Sequence, residues 1–261
     1  MKGITVGLPM FRSQNIAWLA MESLCAQSGI DFEWELLIAE ESESLAFGLD
    51  RIKSYIPRLK EVGCKRLEYY EMDSWQPLGR KWRYMAQKSE NTLGFILQAS
   101  DCYSQPYRLK ETHDIFLENS DVDWVQSPKG YFYNIENEKV VLFDYELYNH
   151  PCALNMAVRT GLMKEIPPNG RKSSVDGWLY KTFTEAKGKK LNVHFNKSDN
   201  WKLGVDTHGL NAISTDRTNM INRAEPPFRD TEVKIENIAP PQVSRLLLDS
   251  KEHVVFNQRI I

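Results

Sequence analysis

Long apolar runs are missing from this sequence. The longest are strand-length, well short of the roughly 20 residues needed to cross a bilayer. Met1 leads within a few residues into a strand-like run, so the expectation is no signal peptide and no membrane span. A strong charge of either sign is also missing. The net charge is −2, which gives no global argument for a nucleic-acid partner and leaves only a local basic groove open. Cysteines are few. Cys25, Cys64, Cys102 and Cys152 have no metal-type spacing, and Cys25 on an apolar helix face reads as a plain buried thiol. A reducing, cytoplasmic setting is the default expectation. Internal repeats and low-complexity segments are absent. So is a glycine-rich phosphate loop, because the first strand runs into Leu8-Pro9-Met10-Phe11-Arg12-Ser13 without a glycine.

What is present is an ordinary globular chain of 261 residues, 42% hydrophobic and 26% charged. Its first half alternates strand and helix, which predicts a largely parallel sheet with right-handed crossovers. Ile4 to Leu8 is β-branched and apolar and ends at Pro9. A helix is predicted over Asn15 to Gln27, capped by Ser13 or Asn15 and ended by Gly29. Phe32 to Ala39 is a second strand, running into Glu40-Glu41-Ser42. Leu45 to Val62 reads as helical, with Pro57 breaking it or starting a second segment, and Gly63 closes it. Arg66 to Glu71 is a third strand. The next helix opens with Arg80-Lys81. Cations at a helix N-terminus oppose the macrodipole, so Arg80 or Lys81 is expected to have an anionic partner.

The stretch from Leu93 to Ser104 organises the rest. Leu93 to Leu97 has the composition of a buried strand and ends in Ala99-Ser100-Asp101. Open α/β sheets deliver ligand-binding groups at strand carboxyl ends. Asp101 is therefore either a site residue over the sheet edge or a turn or capping aspartate before the helix predicted from Tyr107 to Asn119. Beyond it, Val122 to Phe143 reads as a hairpin turning near Glu136-Asn137-Glu138, Ala153 to Val158 as a strand, and Leu191 to Phe195 as the last strand. A helix to Lys187, capped by Gly188, follows Ser173-Ser174-Val175-Asp176-Gly177. Lys197 to Arg217 reads as a long structureless loop. From Arg217, prolines and charges dominate, with helical apolar spacing only in Val243 to Leu248, and this reads as a tail packed on the domain or on a partner.

The order of these motifs, over roughly Lys2 to Gly209, resembles family-2 glycosyltransferases of the GT-A fold. The resemblance implies an α/β, Rossmann-like domain over residues 1–216, with a nucleotide-sugar half (1–104) and an acceptor half (105–216) carrying a small antiparallel hairpin; the tail beyond it, a C-terminal extension (217–261), is a candidate for homo-oligomer contacts. It implies transfer of a sugar from a nucleotide-diphosphate sugar, UDP-sugar favoured, to an acceptor hydroxyl with inversion. On it, Pro9 and Phe11 match the loop that cradles the base, and Glu40, with Glu41 beside it, matches the acid that binds the nucleoside. Arg80, Lys81, Ser100 and Asp101 match the diphosphate end. The family's Asp-x-Asp metal motif is reduced here to Asp101, with Ala99 at the first acid's place, so dependence on Mg²⁺ or Mn²⁺ is left open. His208 is a second candidate metal ligand, and Asp176 matches the catalytic base. His150 lies near the acceptor-side strand, and Trp178 and Trp201 are candidates for stacking on sugar rings. Two other readings stay open: a sugar nucleotidyltransferase, against which the missing glycine loop speaks, and a degenerate nucleotide-sugar binder, for which the missing acids speak. Fold alone leaves glycan, lipid-linked sugar, protein and hydroxylated DNA base all open as acceptor.

Overall fold

A computed structural model describes residues 3–42, 45–134, 138–144, 156–168, 175–197, 205–208 and 228–248. Its main element is a seven-stranded sheet. The strands are β1 (Ile4–Met10), β2 (Trp34–Glu41), β3 (Cys64–Met72), β4 (Gly94–Leu97), β6 (Trp124–Gln126), β9 (Met156–Val158) and β10 (Val193–Phe195), in the order β10-β6-β9-β4-β1-β2-β3. All run parallel except β9, which is antiparallel to both neighbours.

Helices cover both faces, which is why the central strands β1 and β4 are buried and almost wholly apolar, while the edge strand β3 carries Lys65, Arg66, Glu68 and Glu71 and is half-exposed. In β2, Leu36 and Ile38 pack with α1 (Trp18–Cys25), α2 (Leu49–Glu61) and α4 (Arg108–Glu118). Leu37 and Ala39 point the other way, toward α3 (Leu78–Lys88), α5 (Thr160–Met163) and α6 (Val175–Lys187). Each such buried leucine or isoleucine contributes about 1.5–3 kcal/mol. Within β1, the backbone at Gly7 passes so close to the Phe95 ring that a Cβ there would collide with it.

A second, five-stranded sheet, β12-β8-β7-β11-β5, joins the first at the organising stretch. The chain leaves β4, turns through Ala99–Asp101, and enters β5 (Cys102–Tyr103) of this second sheet. Its other strands are β7 (Lys129–Asn134), β8 (Lys139–Asp144), β11 (Val205–His208) and β12 (Phe228–Asp230).

Several sequence expectations are corrected. The first helix starts at Trp18, not Asn15, and has no side-chain cap, because the Ser13 hydroxyl is used elsewhere. It also ends at Cys25, so Gly29, with φ of 71°, does not close it. Pro57 neither breaks nor starts a helix. It lies inside α2 on an exposed face, where water can take the carbonyl that its missing N–H leaves unbonded. Only β7 and β8 form the predicted hairpin, and Trp124–Gln126 belongs to the large sheet. The presumed structureless loop contains β11, parallel to β7 and antiparallel to β5, and β12 follows it, so Leu191–Phe195 is not the last strand region. The described part of the C-terminal extension packs on the domain itself. Ile235, Ile238, Val243 and Leu247 bury against Ile16, Leu19, Tyr103 and Tyr133.

Candidate functional site

Strand order reverses between β1 and β4, because the chain builds outward through β2 and β3 and then returns to the other side of β1. Such a switch point leaves a crevice at the strand carboxyl ends. Here its depth is set by unequal lengths. β1 and β4 pair only as far as Gly7 and Leu97, with a last bond from the Gln98 amide to the Gly7 carbonyl (3.0 Å). β1 continues three residues further, paired to β2 alone, as far as Met10 opposite Glu40. Above Leu97 the walls are therefore Leu8–Met10 on one side and Gln98–Asp101 on the other.

Ser13 bridges those walls. Its hydroxyl donates to the Phe11 carbonyl (3.1 Å), accepts from the Phe11 amide (3.2 Å) and shares a hydrogen bond with Ser100 (3.0 Å). Arg12 sits between them at φ 50°, a left-handed conformation rare for a non-glycine residue, and turns the chain sharply after β1. The Phe11 ring is half-buried. The Arg12 guanidinium carbon stands 5.2 Å from its centroid and Lys81 Nζ 5.5 Å, both within cation–π range.

The charged residues expected to bind the donor are placed differently from one another. Glu40 is fully buried. Its carboxylate accepts from the Phe47 (2.7 Å) and Gly48 (3.0 Å) amides and from the Tyr69 hydroxyl (3.1 Å), so it braces the loop into α2. Glu41 is buried too. It forms an ion pair with Lys81 and accepts from the Gln76 amide (3.0 Å). Lys81, 3% exposed, also donates to the Met10 carbonyl (2.5 Å). The anionic partner expected for Arg80 or Lys81 is thus Glu41 for Lys81, and the pair ties the ends of β1, β2 and α3 together. Arg80 is exposed. Pro9 is buried in β1, paired to Ala39.

Ser100 and Asp101 are half-buried on the seam between the two sheets. Helix α4 has no side-chain cap, so Asp101 does not cap it; its Oδ1 accepts from Cys102 Sγ (3.6 Å). β11 returns to this seam, with Val205 opposite Tyr103 and Asp206 opposite Cys102. His208 stands two residues further along β11, opposite Asn134 on the other side. Its side chain, and that of Asp176, lie outside the described residues, as do His150 and Trp201 entirely. Trp178, in the first turn of α6, packs partly buried against the core.

Asp176 is the second residue of α6. Because α6 leads into β10, which runs in the same direction as β1 and β4, the helix runs antiparallel to them. Its first turn therefore lies toward the carboxyl edge, the edge that carries Met10 and Leu97. Asp101 and the Ser100 hydroxyl are hard oxygen donors, the type that Mg²⁺ and Mn²⁺ take. Among the described residues no group of three or more His, Cys, Asp or Glu could hold a metal ion, so a cation here would draw further ligands from its substrate.

One residue of the site escaped sequence reasoning. Arg108, 4% exposed, lies under the Ser100–Asp101 turn. Its Nη1 donates to Gln98 Oε1 (2.8 Å) and Ser104 Oγ (2.6 Å), and its Nη2 to the Leu97 and Met156 carbonyls (both 3.1 Å). Gln98, so oriented, donates to the Ala99 (3.0 Å) and Cys102 (2.8 Å) carbonyls and holds the turn at both ends. Burial pushes the guanidinium pKa down to about 10. The signal was present: Arg108 is a cation in the first turn of a helix, the same macrodipole misfit seen at Lys81.

No protein-family model and no curated protein matches this sequence. Solved structures do match. TarS from S. aureus in complex with UDP-GlcNAc superposes with a TM-score of 0.60 at 15% identity, over 79% of this chain and 59% of that one, so the chain spans less than two thirds of that neighbour. TarS in complex with UDP gives 0.60 at 15% identity over 98% of this chain and 91% of that one. A mannosyltransferase from Pyrobaculum calidifontis, in complex with GDP-Man and Mn²⁺, gives 0.53 at 10% identity over 98% of this chain and 74% of that one. The mostly parallel sheet with helices on both faces, the antiparallel β7–β8 hairpin and these superpositions together show that the chain has the GT-A fold.

Proposed function

We propose that this protein is a glycosyltransferase that moves a sugar from a nucleotide-diphosphate sugar, UDP-sugar by preference, to an acceptor hydroxyl with inversion. The observation that carries this reading is the crevice at the β1/β4 switch point, walled by Leu8–Met10 and Gln98–Asp101 and bridged by Ser13 and Ser100. Neighbours of this fold hold UDP-GlcNAc, UDP, or GDP-Man with Mn²⁺, which supports a nucleotide-sugar as the ligand.

In this reading Pro9 and Phe11 form the base wall, the ring offering a flat face for stacking. Glu40 and Glu41 act by fixing the loops around the nucleoside, and Lys81 by holding the wall, while exposed Arg80 meets the diphosphate. Ser100 and Asp101 hold the diphosphate end, with His208 completing a Mg²⁺ or Mn²⁺ site. When bound, the metal supplies positive charge to the leaving diphosphate. Asp176 takes the proton from the acceptor hydroxyl as that oxygen bonds to the anomeric carbon. The bond from that carbon to the phosphate oxygen breaks on the opposite face, and its electron pair leaves with the nucleoside diphosphate.

A thermal-shift panel of UDP, GDP and dTDP and their sugars, with and without Mn²⁺, tests the donor. A ligand at a hundredfold over its Kd adds about 2.7 kcal/mol, which is roughly 5–10 °C for a chain of this size. A shift with UDP, joined by turnover of a UDP-sugar, is the expected result. A shift without turnover would favour the degenerate binder, a reading that the single carboxylate at Asp101 supports. No shift with any nucleotide would end the proposal.

A further inference from the structure

A cavity of about 290 Å³ lies beside α3 and reaches the sheet edge at Met72 and Lys81. Arg80, Arg83, Tyr84 and Gln87 of α3 line it, with Gln76 from the loop before the helix and Pro168 from the chain before α6. Three features of its lining are unusual together. Among the described residues neither Arg80 nor Arg83 has an ion-pair partner, whereas neighbouring Lys81 is neutralised by Glu41. Among the described residues, buried Arg83 Nε has no hydrogen-bond acceptor. Among the same residues, buried Gln76 Oε1 has no donor, although the same amide's Nε2 donates to Ser74 (3.2 Å) and its backbone to Glu41. Unsatisfied buried polar atoms are rare, and each costs about 1–3 kcal/mol.

These orphans specify a ligand. The Arg83 guanidinium, with Arg80 shared between this cavity and the donor diphosphate, selects an oxyanion, and an arginine fork matches phosphate or carboxylate geometry. An amide oxygen only accepts, so a ligand that satisfies it also presents a hydrogen-bond donor, such as a sugar O–H, beside its anion. The volume equals about ten waters at roughly 30 Å³ each, and it sits at the lower bound of about 300 Å³ for pockets that take drug-sized ligands. That is room for one phosphorylated monosaccharide. We infer that this cavity is an oxyanion site for a phosphate- or carboxylate-bearing, hydroxylated ligand. Chain order gives it a place in the reaction. Pro168 begins the connection into α6, whose second residue is Asp176. On the glycosyltransferase reading, on which this last assignment rests, the ligand is the acceptor, or the anionic unit of a longer acceptor, held on the side of the base.

The experiment is calorimetric titration of the full chain with glucose 6-phosphate, glucose, inorganic phosphate and UDP. Glucose 6-phosphate should bind, inorganic phosphate more weakly, and glucose not at all. Arg83→Gln should weaken glucose 6-phosphate by roughly tenfold, the size of one charged hydrogen bond. Gln87→Glu, at an exposed position that does not threaten folding, should do the same by repulsion. Both variants should keep UDP affinity within about twofold. Joint loss of UDP and glucose 6-phosphate in Arg83→Gln would make the cavity part of the donor diphosphate site and overturn the inference. So would wild-type affinity in both variants, or no anion binding by the native chain. Anion binding as expected in a chain that never binds UDP would remove the acceptor role and leave the oxyanion site standing.

Discussion

Replacing Lys81 by methionine separates two roles for the most buried cation at the sheet edge. If it is a wall element, its removal strips Glu41 of its countercharge. Glu41 is 3% exposed and would keep, from the contacts described above, only the Gln76 amide at 3.0 Å. Breaking a buried ion pair from one side costs about 3–5 kcal/mol, because a desolvated charge is left behind. With urea slopes of about 1–3 kcal/mol/M, that loss moves the midpoint down by at least about 1 M. Lys81→Met with Glu41→Gln removes both charges, and replacing a whole buried pair is often near neutral, so most of the lost stability should return. The assay is urea unfolding by tryptophan fluorescence on both variants, followed by UDP titration of the folded proteins. The wall role predicts an unstable single variant, a rescued double variant, and UDP affinity that recovers with stability. A single variant within about 0.3 M of the native midpoint, with UDP binding lost in both, would refute this reasoning and make Lys81 a direct phosphate ligand.

Asp176→Asn keeps shape and loses the base, so transfer should fall roughly 10²–10⁴-fold with donor affinity nearly intact; turnover within a few-fold of native removes it as the base. Asp101→Asn should keep the melting temperature and lose any Mn²⁺-stimulated part of the rate, and full stimulation by Mn²⁺ in that variant would discard Asp101 as a ligand. Glu35 sets an acid limit. Desolvation pushes its pKa up, but bonds from Thr5, Asn91, Arg66 and Ser89 outweigh this and hold it below the ordinary 4.5. A depressed folded value means its stabilisation is full above the unfolded value and is lost as pH falls through the folded one. The native chain should therefore lose stability below about pH 4.5 more steeply than Glu35→Gln, which should be less stable at pH 7 by about 1–3 kcal/mol, and parallel pH curves would contradict this.

The parallel sheet was legible because doubly covered strands carry their own signature: Ile4–Met10 and Trp34–Glu41 are buried at every position. The second sheet was not. β6 and β7 are separated only by Ser127 and Pro128, so sequence adjacency suggested one hairpin, yet they enter different sheets. β11 has four residues, and its place is decided by partners some 70 and 100 positions earlier, Tyr131 and Tyr103, which no local pattern encodes. The site was half legible for a related reason. Acids at strand ends look like ligand-binding groups, but bringing several strand and helix ends to one edge also gathers amides and cations that need countercharges. Glu40 and Glu41 answer that internal need, and Arg108 does the same with carbonyls beneath the turn. Each is 4% exposed or less. Charge at this edge therefore marks what assembles it, and partial exposure is the better guide to what a ligand meets. By that criterion Phe11, Ser100 and Asp101, all half-buried around the switch point, carry the donor argument, and half-buried Arg83, whose Nε has no acceptor among the described residues, carries the argument for a second ligand.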